Sequence, residues 1–200
     1  VYGRGYAFNA IPVVSQTVVP TFRCGSDNST PWISTNRANG SASGSSLSSY
    51  KGVTGSNWAW GSYTNGGPSG NWNGLDAGDG TFWRSDDNKF LTIAGISDGS
   101  SNTFFVGEDI GSLNTHCGWQ RSNYAVGTCA VPLNNGLRSG QPGFNNPGDW
   151  PNLYSFRSRH PGGANFLLGD GSVKYIRDGI DIATYRAMST RAGGETLIAN

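Results

Sequence analysis

Two histidines, three cysteines and thirteen carboxylates are what this chain of 200 residues offers for chemistry. His160 opens the run His160-Pro161-Gly162-Gly163, and Asp170-Gly171 follows after nine intervening residues. With Glu108 as a third member, this set suits acid–base work, because imidazole titrates nearest neutrality. Hydrolysis would also need a nucleophile or a metal, and an oxyanion hole. The sequence contains no HExxH and no paired Cys/His spacing. His116 sits beside Cys117, in a context unlike that of His160, so the two histidines do not read as a zinc pair. No histidine neighbours Cys24 in the sequence, and catalysis by that thiol is not expected. A structural reading explains more. His160 can clamp turn backbone or a carboxylate through its ring nitrogens, and Asp170 serves the turn itself. No catalytic residue is therefore expected.

Two other clusters could hold ligands. Asp76-Ala77-Gly78-Asp79-Gly80 spaces carboxylates between flexible glycines, and Asp86-Asp87-Asn88 is a second acidic group. Neither completes the calcium loop that ends in a bidentate Glu, so Asp76 and Asp79 are weak calcium candidates and solvated turns are the plain reading. No other cofactor is expected. Trp58, Trp60, Trp72 and Trp83 lie in a Gly- and Asn-rich stretch, residues 57–83. They would suit a stacking platform for a glycan; the plainer reading is that large rings pin a region poor in aliphatic residues.

These residues must be positioned by strands. Ala164–Gly169 and Ser172–Ile176 flank Asp170-Gly171, the dipeptide of a two-residue type I′ hairpin turn. On that register Phe166, Leu168, Val173 and Tyr175 share one half-buried face. Tyr50–Val53, Phe90–Ile96 and Thr103–Gly107 read as further strands, the last ending at Glu108, and residues 119–131 suggest one more. Residues 1–27 read as extended, interrupted by Pro12 and Pro20. Asp181 can cap a helix over Ile182–Arg191, with Ile180, Ala183 and Ala187 on its inner face, Tyr185 and Met188 adjacent to it, and Gly193-Gly194 at its C-terminal end. Residues 28–49 and 134–152 read as long loops. The sum is one α+β domain over residues 1–200: mostly antiparallel β, long loops, and a short C-terminal helix.

Four segments carry a resemblance. They are TFRCGSD (Thr21–Asp27), ISDGSSNTFFVGE (Ile96–Glu108), FRSRHPGGANFLLGDGSVKYI (Phe156–Ile176) and DIATYRAMSTRAGGE (Asp181–Glu195). In this order they resemble a prepilin-like family abundant in planctomycete bacteria, which carries a His-to-Asp-Gly signature; its members usually have Pro in place of Gly25. The resemblance implies a type IV pilin-like or pseudopilin-like globular head, exported to the cell surface. Its structural signature here would be Asp98, Glu108, His160, Asp170 and Gly171. Such members begin with a leader and a long apolar helix, which the resemblance places upstream of Val1; without it, one sheet face should look unusually apolar. An exported protein permits disulfides. Cys117 and Cys129 bracket a short polar loop, and a bridge there would contribute about 3 kcal/mol. Cys24 then pairs with a cysteine of the upstream helix or stays a free thiol.

Composition narrows the partners. The net charge is +1 and only 14% of residues are charged, so no basic stripe exists for nucleic acid. No stretch approaches the ~20 apolar residues of a membrane span. The leading expectation is a non-catalytic structural subunit that associates with copies or related subunits. A glycan-binding module using the tryptophans, and a hydrolase using His160 and Asp170, are the alternatives.

Overall fold

The structure, a computed structural model, describes residues 12–33, 44–67, 70–84, 90–120 and 122–195. Asp86, Asp87 and Asn88 lie outside these residues, as do residues 1–11. Among the described residues, no helix is long and apolar enough to cross a membrane. A five-stranded sheet organises the molecule. Its strands are β3 (Tyr50–Val53), β4 (Phe104–Glu108), β5 (Val126–Gly127), β6 (Gly163–Leu168) and β7 (Val173–Arg177), in the order β5-β3-β4-β6-β7. Every pairing is antiparallel except β3 with β5, so the sheet is mixed. A two-stranded ribbon pairs β1 (Trp32–Ile33) with β2 (Ser45–Ser46). With only three short α-helices among the described residues, this is the expected α+β fold, mostly β.

The β6–β7 hairpin differs from the expected one by a single residue, with large effect. Leu168 N–H donates to the Ser172 carbonyl (2.8 Å), and Gly171 N–H to the Leu168 carbonyl (3.0 Å). Gly169, Asp170 and Gly171 therefore form a three-residue loop with Gly171 left-handed (φ 87°), a turn followed by a glycine bulge rather than a type I′ turn. Leu167 then faces Val173, and Asn165 faces Tyr175. A one-residue change of register moves every side chain of a strand to the other face. Phe166 and Leu168 stay buried, whereas Val173 and Tyr175 turn outward and Ile176 goes to the core.

One core lies on the inner face of this sheet. Val53, Phe104, Phe156, Phe166, Leu168 and Ile176 pack there with Tyr185 and Met188. β4 approaches closely because Gly107 has no side chain: a Cβ would sit 2.5 Å from the rings of Phe156 and Phe166. A second core gathers Trp58, Leu75, Val126, Val131 and Tyr154.

Local expectations meet tertiary competition at several places. Residues 12–27 are not extended: Pro12–Gln16 forms one helical turn and Pro20–Phe22 a 3-10 turn. Proline at the start of a turn supplies its fixed φ and lacks only an N–H that would be unpaired there anyway. Ile93–Gly95 is likewise a 3-10 turn, and Phe90 and Ile93 are exposed. The C-terminal helix begins as expected, with Asp181 accepting from the Thr184 N–H (2.9 Å), but it stops at Ala187. The Ser189 hydroxyl takes the Arg186 carbonyl, the Thr190 hydroxyl takes that of Ala187, and Phe104 N–H takes that of Met188. With its last carbonyls satisfied from outside, the helix has no reason to continue. Its inward residues are Tyr185 and Met188, and Ala183 is exposed.

The disulfide reading is corrected. Cys117, Cys129 and Cys24 are all free thiols. Cys117 Sγ donates to the Ser48 carbonyl (2.9 Å), while Cys129 belongs to the sheet core. The loop between them is drawn into two separate environments, each already packed. Burial pushes both thiols up, Cys129 to about 12, so neither offers a thiolate at neutral pH.

Candidate functional site

Glu108 ends β4 and faces the outer side of the sheet beside Tyr50 of β3. Its carboxylate is nearly buried and is held from β6: Asn165 N–H donates to Oε2 (2.8 Å) and Asn165 Nδ2 to Oε1 (3.3 Å). Two segments far away in the chain reach the same oxygen. His160, at the entrance to β6, puts Nε2 3.4 Å from Glu108 Oε1. Cys24 puts Sγ 3.3 Å from that oxygen and 3.6 Å from His160 Nε2. Among the described residues this is the group of Cys, His and carboxylate side chains whose donor atoms converge closely enough to hold one metal ion.

Each member is fixed by local structure. Cys24 starts a turn closed by the Asp27 N–H on the Cys24 carbonyl (3.0 Å), and Ser49 N–H binds the Phe22 carbonyl (2.7 Å). Asp27 accepts from the Ser49 hydroxyl (2.9 Å) and lies 3.5 Å from Arg23 and 3.9 Å from Arg159. The Cys24 turn is thus tied both to the start of β3 and to the residue before His160. His160 N–H donates to Ser158 Oγ (3.1 Å), and the Tyr175 hydroxyl donates to the Pro161 carbonyl (2.5 Å). Burial, and then the neighbouring Cys24 and Glu108, push the Tyr50 phenol up to about 12, so it stays a neutral donor beside them.

The geometry is convergent rather than relayed. A nucleophile–base–carboxylate relay uses the two imidazole nitrogens in opposite directions, one toward each partner. Here Nε2 alone faces both Cys24 and Glu108, and the thiol reaches the carboxylate directly. Asp170 takes no part. Its carboxylate accepts from the Ser172 N–H (2.9 Å) and hydroxyl (2.7 Å) at the exposed hairpin tip, and these bonds hold its pKa below the usual carboxylate value. Asp98 lies elsewhere and joins two segments: it accepts from Gly193 N–H (2.7 Å), Gly194 N–H (2.9 Å) and the Thr190 hydroxyl (3.0 Å).

The remaining candidates are dispersed. Asp76 binds Arg84 and Asn73, and Asp79 accepts from Ser56 N–H (2.6 Å) and Ser56 Oγ (2.7 Å). Their carboxylates are engaged with separate protein partners. Trp58 is fully buried, donates to the Pro151 carbonyl (3.0 Å) and packs edge-on against Trp60. Trp83 donates to the Gly78 carbonyl and lies under Arg191. Trp72 is the broadly exposed member of the four, so they do not present one flat platform. His116 packs edge-on against Tyr124 and its ring is bonded to Thr115.

Cys24, Tyr50 and Asn165 are the site residues that reading along the chain missed. Cys24 is 136 positions from His160, so no local spacing connects them. The usable signal was that Cys24, Glu108 and His160 each fall within one of the four segments singled out by resemblance. A family model described as "Protein of unknown function (DUF1559)" matches residues 5–183. No curated protein and no solved structure matches the chain.

Proposed function

We propose that this chain, which belongs to the DUF1559 family of proteins of unknown function, is a structural, non-catalytic subunit of a pilin-like filament or pseudopilus outside the cytoplasm. The observation that carries this reading is the outer face of the sheet. Register sets Val106, Leu167 and Val173 side by side on it, and Phe82 covers the bare backbone of Gly52 at the same level. Val173 is 67% exposed and Tyr175 44%, both on the edge strand β7. Contiguous apolar surface of this kind marks a contact with another protein surface. A net charge of +1 leaves little like-charge repulsion between neighbouring copies. The reading expects this face to be covered by the upstream helix that the four-segment resemblance implies for a pilin-like head, or by a neighbouring subunit.

Electron microscopy of the native material, with wild type beside Leu167→Lys and Val173→Lys, tests it. Filaments from wild type and their loss in both variants, with unchanged circular dichroism, are the expected result. Monomers in wild-type material, or filaments that tolerate both lysines, would overturn the assignment.

A further inference from the structure

We propose that Cys24, Glu108 and His160 bind a divalent transition metal of the zinc type, with a fourth position left open to solvent. This goes beyond the assembly reading and does not depend on it. The argument starts from the donor separations. Zinc bonds of about 2.0–2.3 Å in a tetrahedral arrangement place neighbouring donor atoms roughly 3.3–3.6 Å apart. Cys24 Sγ to His160 Nε2 is 3.6 Å, Sγ to Glu108 Oε1 is 3.3 Å, and Nε2 to Oε1 is 3.4 Å. All three edges of one tetrahedral face are thus already drawn. A thiol, an imidazole and a carboxylate form the mixed soft and hard donor set that suits zinc and its neighbours rather than calcium or magnesium.

The surroundings are built to hold that face. Asn165 grips the Glu108 carboxylate through both its backbone N–H and its side-chain amide, the outer-shell support that ligating carboxylates require. The Cys24 turn is anchored to β3 and, through Asp27, to Arg159 next to His160. The His160 side chain is 35% exposed, which leaves the fourth corner open to water or a ligand. On binding, the metal replaces the Cys24 thiol proton, and that proton passes to solvent. A carboxylate, a thiolate and a neutral imidazole then leave a dication site with no excess charge.

The test uses the chain stripped with a chelator, then titrated with Zn²⁺ by calorimetry and with Co²⁺ by absorption. One metal per chain, proton release on binding, and a thiolate-to-cobalt charge-transfer band are the expected results. Cys24→Ser and His160→Ala should each weaken binding by at least about tenfold, and Asn165→Ala by about 10–100-fold. Cys24→Ser is nearly isosteric, so its fold is checked by circular dichroism. Alkylation by iodoacetamide adds a second readout, because Cys117 and Cys129 are buried and Cys24 is not; Zn²⁺ should slow labelling of Cys24. Absence of stoichiometric binding, a cobalt spectrum without the thiolate band, or affinity unchanged in Cys24→Ser would overturn the proposal. Rapid alkylation of Cys24 that Zn²⁺ does not slow would do the same and would favour a reactive cysteine instead. None of these results bears on filament formation.

Discussion

At the scale of single residues, Asp109 is the centre of a buried charge cluster. It follows Glu108 and points to the opposite, buried side, where it lies 2.7 Å from Lys51 Nζ and 2.8 Å from an Arg157 nitrogen. All three side chains are out of water, and Lys51 also sits over the Tyr154 ring. Burial pushes the Asp109 carboxyl up, but Arg157 and Lys51 outweigh it and hold the pKa below the ordinary value. Removing one member strands the others, so Asp109→Asn should cost about 3–5 kcal/mol in urea unfolding. Since the folded pKa lies below the unfolded ~3.9, the stabilisation is complete above that pH and is lost as pH falls through the folded value. The midpoint of wild type should drop on acidification, and Asp109→Asn should flatten that drop. The free thiols give a second residue-scale expectation: dithiothreitol should leave the thermal midpoint of the chain unchanged, whereas a bridged Cys117–Cys129 would lower it on reduction.

At the scale of elements, the hairpin loop decides what the outer face presents. Gly171 occupies a left-handed position (φ 87°) with open space around it, so only backbone strain opposes a side chain there. Gly171→Ala should cost about 1–2 kcal/mol, read as a lowered unfolding midpoint with a native-like spectrum. The strands were legible from their β-branched and aromatic runs, and the Asp181 cap from its position before Ile182. The register was not. Asp170-Gly171 fits both a two-residue turn and the last part of a three-residue loop. Bonds from Gly169 N–H to the Thr103 carbonyl and from Asp170 N–H to the Ser100 carbonyl hold the longer loop against the turn before β4. The early segment around Pro12 and Pro20 failed for a similar reason: β-branched residues favour strands only where a neighbouring strand is available to pair.

At the scale of the whole molecule, two cores share the stabilising role, and the tryptophans separate by it. Trp58 is enclosed by Trp60, Trp150 and Tyr154, whereas Trp72 is 56% exposed. Trp58→Ala should therefore lower stability by about 3–5 kcal/mol, while Trp72→Ala should stay within about 0.5 kcal/mol, both measured by thermal denaturation. The sheet keeps one face for the first core and leaves the other partly apolar, with the Cys24–Glu108–His160 group at the edge of that outer face. Assembly surface and donor cluster are thus neighbours on one side of the molecule.

The amino-acid sequence alone determined the β-rich α+β class, the hairpin strands around Asp170-Gly171, the capped C-terminal helix and the near-neutral net charge. Each follows from forces that act over a few residues or from bulk composition. Only the tertiary structure decided that Cys117 and Cys129 stay apart, that Val173 and Tyr175 face outward, and that Cys24 meets Glu108 and His160. Those outcomes depend on strand register and on contacts 84 and 136 positions apart. No local preference encodes them, because a donor atom's neighbours across a sheet are set by how the strands pair and not by what precedes it in the chain.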